Sequence, residues 1–264
     1  MELSKTNYVI QDGIAVITMN YMNNLNAIDE QMADELLFLF EQAEKDEQVK
    51  VVVLEGFQKA FSAGGDIGFF YDQVQAGGEI SLDGLIARVG MLADNMKKMS
   101  KLIITSVSSV AAGAGVSLAL GGDFLICTEN AKFILAFVNL GLVPDTGAAY
   151  LLSKSIGAAK AFELSVTGRP MTAGEAKDMG LAYDVVAKED LKETVMKLAK
   201  KLCNGPLTAY KNIKKQIYEA SFADYRNWLE QVEAPTQREC ALTKDFEEGV
   251  KAFMEKRKPE FSGR

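Results

Sequence analysis

The sequence contains no histidine in its 264 residues. Ser-His-Asp catalysis, Cys-His catalysis and zinc sites with histidine ligands are therefore excluded. Cysteine is scarce as well: Cys127, Cys203 and Cys240 lie far apart and form no C-x-x-C motif. These three residues indicate a reducing compartment and small buried thiols. We therefore expect neither a disulfide framework nor a metal site.

The chain also lacks an excess of basic residues, with 29 Lys and Arg against 36 Asp and Glu. Nucleic-acid binding needs a basic footprint, so a nucleic acid is not an expected partner. The N-terminus leads into no apolar segment, and no signal peptide is expected. Residues 102–122 carry no charge and are long enough to span a bilayer, but their Ser and Gly content favours a buried core segment. We therefore predict no membrane partner and a cytoplasmic location.

Hydrophobic residues make up 48% of the chain and charged residues 25%, which is typical of a globular protein. Short apolar, β-branched runs at residues 51–54 and 102–105 read as buried strands, and amphipathic helical segments follow them. From residue 188 onward almost every segment is helical. The pattern predicts an α/β core over residues 1–200 and a helical C-terminal region over residues 201–264.

Three turns made largely of small residues are the candidate functional segments, at residues 61–66, 111–115 and 143–147. The first two turns follow the apolar runs, where backbone N–H groups can approach a ligand closely. The third places the carboxylate of Asp145 among small and apolar neighbours. Two N–H donors for a developing oxyanion and one carboxylate base are a minimal set for moving a proton next to a carbonyl.

Glycine-rich turns also occur in nucleotide-binding proteins. Here Gly113-Ala114-Gly115 lacks the third glycine of the G-x-G-x-x-G fingerprint, and no G-x-x-x-x-G-K-[ST] sequence exists. Nucleotide binding is therefore disfavoured. The structural alternative for these glycines is close packing of a helix on a strand.

Several segments together resemble the crotonase (enoyl-CoA hydratase/isomerase) superfamily in its order and spacing: residues 61–67, 112–123, 141–144, 167–169, 173–181 and 248–257. The resemblance covers essentially the whole chain. It implies an α/β fold built as a spiral of βαβ units, with a helical C-terminal region that mediates assembly as a homotrimer or homohexamer. It also implies acyl-CoA thioesters as substrates, with coenzyme A present only as part of the substrate and no separate cofactor.

By position, the resemblance assigns the two oxyanion donors to the backbone amides of Ala63 and Ala114. It assigns substrate binding to Ala27, Gly64, Gly65, Asp66, Ile67, Phe137, Phe253 and Lys256. Of these, Phe253 is expected near the adenine of coenzyme A, and Lys256 near its phosphates. The polar, glycine-containing stretch at residues 71–84 is predicted to be a mobile loop that helps to shape the acyl pocket.

The acidic residues separate the subclasses that the resemblance implies. The positions of the two hydratase glutamates hold Ser117 and Phe137, which disfavours water addition by paired acids. Asp145 matches the base of single-acid isomerases, of the phenylacetate-pathway type or of the Δ3,Δ2-enoyl-CoA type in fatty-acid metabolism. Aroyl-CoA dehalogenases also carry an aspartate there, but they add a histidine and a tryptophan that this chain lacks at those positions.

The sequence therefore predicts an acyl-CoA isomerase in which Asp145 is the acid/base. A hydratase-like lyase and a non-catalytic acyl-CoA-binding subunit are the alternatives. For Asp145 itself, the alternative is a structural cap on the helix that begins near Gly147.

Overall fold

The computed structural model describes residues 1–57, 59–77 and 80–264. The strands are β1 (Thr6–Gln11), β2 (Ile14–Met19), β3 (Val51–Gly56), β4 (Ala60–Ser62), β5 (Leu102–Val107), β6 (Val110–Ala112), β7 (Phe124–Thr128), β8 (Lys132–Ile134), β9 (Pro170–Thr172) and β10 (Asp184–Val186). The α-helices are α1 (Glu30–Lys45), α2 (Ile67–Ala76), α3 (Asp83–Lys98), α4 (Ala114–Gly121), α5 (Ala148–Ile156), α6 (Ala158–Thr167), α7 (Ala173–Asp178), α8 (Leu191–Cys203), α9 (Leu207–Phe222), α10 (Tyr225–Trp228), α11 (Ala234–Ala241) and α12 (Lys244–Met254).

The larger sheet has the strand order β1-β2-β3-β5-β7-β10, and its strands are parallel except for the antiparallel β1–β2 pair. Along β3, Val51 and Val53 face α8, whereas Val52 and Leu54 face the main core. A parallel sheet that is covered on both faces needs apolar residues at every position rather than at alternate ones. This is why the central strands read as uninterrupted apolar runs.

The smaller sheet has the order β4-β6-β8-β9, and its first three strands run parallel. The chain alternates between the sheets, so that β3 is followed by β4, β5 by β6 and β7 by β8. Each turn of the chain therefore adds one strand to each sheet, which produces the predicted spiral of βαβ units. Because β4, β6 and β8 are parallel, the turns that follow them lie at one edge of the smaller sheet.

The stretch at residues 71–84 is not one continuous loop, because only residues 77 and 80–82 of its described part lie outside helices. Its first part belongs to α2 and its last part begins α3, while Gly78 and Glu79 lie outside the described residues. The Asp66 carboxylate caps α2 by accepting hydrogen bonds from the Gly68 amide (2.9 Å) and the Phe69 amide (3.3 Å). Phe70 then packs edge-on against Phe246 of α12 at 5.8 Å between ring centroids. The Asp66 cap and this tertiary contact stabilise a helix that the sequence pattern did not predict.

From residue 188 to Met254 the chain is mostly helical, as expected. The predicted boundary near residue 200 falls within α8, whose apolar face packs on the larger sheet, and the division into two parts stays a prediction. The uncharged residues 102–122 form β5, β6 and α4 in the interior. Across the described part of the chain, no helix combines the length and apolar character that crossing a membrane requires.

Candidate active site

The turns after β4 and β6 touch each other through glycine. Gly64 has a φ of +91°, and a Cβ placed on it would lie 2.8 Å from the Ala112 carbonyl oxygen. Gly113 on the opposite turn has a φ of +49°, and a Cβ there would lie 3.5 Å from the Gly64 Cα. Any larger residue at position 64 would push the turns apart, so the small residues are required for the close approach.

The backbone amides of the two turns are not equivalent. The Ala63 amide donates to the Leu25 carbonyl at 3.0 Å, so it is not free to bind a ligand, and the prediction that it supplies the first oxyanion donor is wrong. The Gly64 amide donates to the Ser62 hydroxyl at 3.2 Å. Within the described ranges, the amides of Gly65 and Ala114 have no hydrogen-bond partner, and both residues border the same cavity. Gly65, which the sequence placed only among the substrate-binding residues, thus replaces Ala63 as the candidate donor.

The Ala114 amide is unpaired for a geometric reason. Ala114 is the first residue of α4, and the first N–H groups of a helix have no intrahelical acceptor. The residue before it, Gly113, uses its own amide to bond the Ile134 carbonyl of the neighbouring β8 at 2.8 Å. The strand pairing thereby fixes where the free donor points.

The cavity beside these amides has a volume of about 110 Å³ and mostly apolar walls. Its apolar lining includes Ile28, Phe70, Leu82, Leu85, Ile86, Val89 and Leu142. Of the predicted site residues, those that border it are Ala63, Gly64, Gly65, Ile67, Ala114, Phe137, Asp145 and Phe253. The remaining three, Ala27, Asp66 and Lys256, do not.

Asp145 is the one ionisable side chain among the described residues that line this cavity. Its Oδ1 accepts a hydrogen bond from the Thr146 hydroxyl at 2.9 Å, and its Oδ2 accepts one from Gln237 Nε2 at 3.0 Å. Burial raises the pKa of Asp145 to about 6, against the opposing effect of these two hydrogen bonds. A carboxylate with this pKa can both take and return a proton near neutral pH.

The alternative role of Asp145 as a helix cap is wrong. Helix α5 begins at Ala148, its N-cap residue is Gly147, and no side chain caps it. The Asp145 carboxylate bonds Thr146 and Gln237 instead. Only its backbone carbonyl serves the turn, by accepting from the Ala148 amide at 3.1 Å.

Two residues of the C-terminal helices meet the Asp145 segment, and the sequence reasoning missed both. Gln237 is 2% exposed and Glu233 is 4% exposed. The Glu233 carboxylate accepts from the Gly147 amide at 2.9 and 3.2 Å, through its two oxygens. Burial, and secondarily the charge of Asp145, raises the pKa of Glu233 well above its ordinary value. Nothing in the local sequence distinguishes these residues from the polar face of an ordinary amphipathic helix.

Neither of the positions that hold glutamates in the resembling hydratases carries an acidic residue in this chain. The Ser117 hydroxyl donates to the Asp145 backbone carbonyl at 2.8 Å, and Phe137 contributes its ring to the cavity wall. Ser117 therefore supports the turn that carries Asp145, and neither residue supplies a carboxylate.

Three residues predicted to bind substrate do not line the cavity. Asp66 is occupied by capping α2 and by accepting from Asn24 Nδ2 at 2.8 Å. Ala27 is buried, and its amide donates to Asn24. Lys256 is exposed just beyond the end of α12. Phe253, 58% exposed at the cavity mouth, is the nearest of the residues expected to meet coenzyme A, and these contacts stay predictions.

The family model for enoyl-CoA hydratase/isomerase matches residues 9–264. The chain belongs to this family. It is 33% identical over 264 residues to the trans-2-decenoyl-[acyl-carrier-protein] isomerase of Streptococcus mutans, with all of both chains covered. It is also 33% identical over 263 residues to the 1,2-epoxyphenylacetyl-CoA isomerase of Escherichia coli K12, with 97% of each covered.

Solved structures of the family share the fold. The crystal structure of an enoyl-CoA hydratase from Mycobacterium avium subsp. paratuberculosis superposes with a TM-score of 0.89 at 28% identity, covering 99% of this chain and 100% of that one. The predicted crotonase fold and family are thus confirmed, and the chain is an enzyme of the crotonase superfamily. Its relatives carry both isomerase and hydratase names.

Proposed function

We propose that this enzyme is an enoyl-thioester isomerase that moves a double bond into conjugation with the thioester, with Asp145 as its only acid/base. The observation that carries the proposal is the single carboxylate on the described cavity wall. Water addition in the resembling hydratases relies on two glutamates, whose positions hold Ser117 and Phe137 here. One carboxylate is sufficient for a proton shuttle.

The backbone amides of Gly65 and Ala114 are the proposed binding site for the thioester oxygen. They are unpaired at the cavity edge, as a pre-organised oxyanion site requires. As the α-carbon loses its proton, negative charge develops on that oxygen. Two fixed N–H dipoles in an apolar cavity stabilise this charge without reorganising.

The Asp145 carboxylate takes the proton from C2 of a 3-enoyl thioester, and the electron pair of that bond delocalises into a dienolate that reaches C4. The Asp145 carboxylic acid then returns the same proton to C4, so that the double bond lies between C2 and C3. Atoms and charge balance with no other reactant. A pKa of about 6 suits both halves of this cycle, because the group is mostly ionised at pH 7 and is still able to hold the proton after transfer.

The acyl group that fits the cavity is apolar. Beyond Asp145 the walls are formed by side chains such as Ile86, Val89 and Leu142, with no further charged group among the described lining residues. An aliphatic chain or an unsubstituted ring would be buried there without losing hydrogen bonds to water. The named relatives act on acyl carrier protein and on coenzyme A thioesters, so the carrier is a variable of the test.

The test follows absorbance of the conjugated thioester after addition of 3-enoyl substrates of increasing chain length, each as a coenzyme A and as an acyl-carrier-protein thioester. We expect turnover by the wild type and a loss of at least about 100-fold in kcat for Asp145→Asn, which removes the base. Asp178→Asn is the matched control, because Asp178 is an exposed aspartate at the end of α7.

Three outcomes would contradict the proposal. Efficient hydration of crotonyl-CoA by the wild type would assign the enzyme to the hydratases despite Ser117 and Phe137. Tight binding of several acyl thioesters without turnover of any would indicate a binding subunit. Near wild-type isomerisation by Asp145→Asn would show that another group is the base.

A further inference from the structure

The orientation of the Gln237 side-chain amide is fixed by its neighbours. Gln237 Oε1 accepts from the Val143 amide at 3.1 Å, and an amide N–H can only donate. The NH₂ end of Gln237 must therefore face the opposite way, toward Asp145 Oδ2 at 3.0 Å. A buried NH₂ donor in this position favours the ionised form of Asp145 and holds one of its oxygens in place.

The Glu233 carboxylate binds the backbone of the residues that follow Asp145. Thr146 has a φ of +55° and Gly147 a φ of +82°, so two consecutive residues occupy the left-handed region. For the β-branched Thr146 this conformation is costly. The Glu233 carboxylate accepts from the Gly147 amide, and hydrogen bonds from the amides of Gly147 and Thr146 act to lower its pKa against the effect of burial. The carboxylate thereby compensates for the strained turn.

The contacts of Glu233 and Gln237 with the Asp145 turn come from the same face of one helical segment. Glu233 and Gln237 are four residues apart, which places them on the same helical face. Glu233 ends a π-helical segment, Leu229–Glu233, and α11 starts directly after it. Such π turns are uncommon and occur frequently at functional sites, where the extra residue re-aims side chains. Here the helix face that follows this segment is aimed at the Asp145 turn.

We propose that Gln237 is a positioning residue that keeps the Asp145 carboxylate ionised and in one orientation, supported by Glu233 under the turn. The inference rests on the proposed function, since it describes how the base of that reaction is held. It also makes the C-terminal helices part of the active site, because Gln237 lines the cavity although it lies 92 residues from Asp145 in the sequence. Removing its side-chain amide should change proton transfer more than it changes binding of the acyl chain.

The central test substitutes Gln237→Met, which keeps the approximate length and apolar volume but removes both the donor to Asp145 and the acceptor for the Val143 amide. We expect kcat to fall about tenfold or more while KM changes less than about threefold, because the substrate still fills the same cavity. We also expect the pKa of Asp145 to rise by about one pH unit, since a hydrogen bond to its charged form is lost. Gln216→Met, at an exposed position of α9, is the control that should change neither quantity.

The pKa is measured in two independent ways. The first is the acid limb of the kcat profile. The second is ¹³C NMR of protein labelled at its aspartate carboxyl carbons, in which the Asp145 signal is the one missing from the Asp145→Asn spectrum. The NMR titration needs no turnover. If the wild type fails to isomerise any substrate, the proposed function fails, while the titration of Gln237→Met still tests the positioning role.

A residue that acts only through packing would lower stability and leave the Asp145 pKa unchanged. Unchanged kcat and unchanged Asp145 titration in Gln237→Met would therefore overturn the inference. Should that variant not fold, Gln237→Glu preserves the shape and the acceptor for the Val143 amide. Its negative charge should raise the Asp145 pKa even further, and an unaltered titration in that variant would equally refute the contact.

Discussion

Replacing Asp145 with asparagine should make the protein more stable while it abolishes turnover. Asparagine has the same shape and can keep both hydrogen bonds, by accepting from Gln237 Nε2 and donating to the Thr146 hydroxyl oxygen. What it removes is a carboxylate whose charged form is disfavoured by burial. The stabilisation should depend on pH in a way that identifies its cause.

The size of the effect follows from the pKa of Asp145. That pKa is about 6 in the folded protein against an ordinary value of 3.8. At about 1.4 kcal/mol per pKa unit, ionising Asp145 costs about 3 kcal/mol of folding free energy once the pH is well above 6. Between these two pKa values the folded state binds more protons than the unfolded state, so wild-type stability falls as pH rises from about 4 to 6. Asp145→Asn should therefore exceed the wild type by about 3 kcal/mol at pH 8 and by roughly half of that at pH 5.

Urea denaturation at pH 5 and pH 8 measures this difference, at one protein concentration for all variants because self-association would shift the midpoint. Asp178→Asn should follow the wild type at both pH values, since Asp178 is exposed. A variant that is no more stable than the wild type at pH 8 would refute the reasoning, as would a gain that is equal at both pH values.

Three further outcomes are expected. First, kcat/KM should fall about tenfold per pH unit below about pH 6 and level off above it, because the base must be ionised; a pH-independent rate from pH 5 to 8 would exclude Asp145. Second, Gly64→Ala should lose far more activity than Gly157→Ala: both residues have a positive φ that L residues rarely adopt, but only at position 64 would the Cβ strike the facing turn. Third, Glu233→Ala should lower the urea midpoint by the equivalent of about 1–3 kcal/mol because the Gly147 amide loses its acceptor, whereas Glu233→Gln should retain most of the stability; equal loss in both would argue against this hydrogen bond.

The strands and the position of the candidate site could be predicted because their causes are local. A strand such as β3, buried on both faces, must be apolar at every position, and this leaves an unmistakable run in the sequence. The turns after β4 and β6 need small residues because they touch each other. Glycine at position 64 satisfies both this contact and the positive φ. Asp145 stood out because a lone carboxylate among apolar residues is unusual.

The identity of the first amide donor could not be read from the sequence in the same way. Every residue of a turn carries an N–H, so the residue types do not show which of them is unpaired. The choice between Ala63 and Gly65 depends on Leu25, whose carbonyl takes the Ala63 amide from a segment earlier in the chain. Likewise, α2 was missed because its stability comes from the Asp66 cap and from packing on α12.

The same limit explains why the sequence did not reveal the partners of Asp145, the proposed base. Gln237 and Glu233 contact the turn that carries Asp145 only because the C-terminal helices fold back onto it. A contact between residues 92 apart leaves no periodic pattern in the sequence. In the proposed mechanism, backbone amides bind the thioester oxygen, so most of the side chains around them can vary. The environment of Asp145, the one ionisable group on the described cavity wall, can vary less freely, because burial alone would raise the pKa of Asp145 further without the donor on Gln237. Relatives that share the spiral but place their acids elsewhere should therefore be free of the requirement for an amide at this helical position, and comparing their Asp145 and Gln237 counterparts in structures is the direct check.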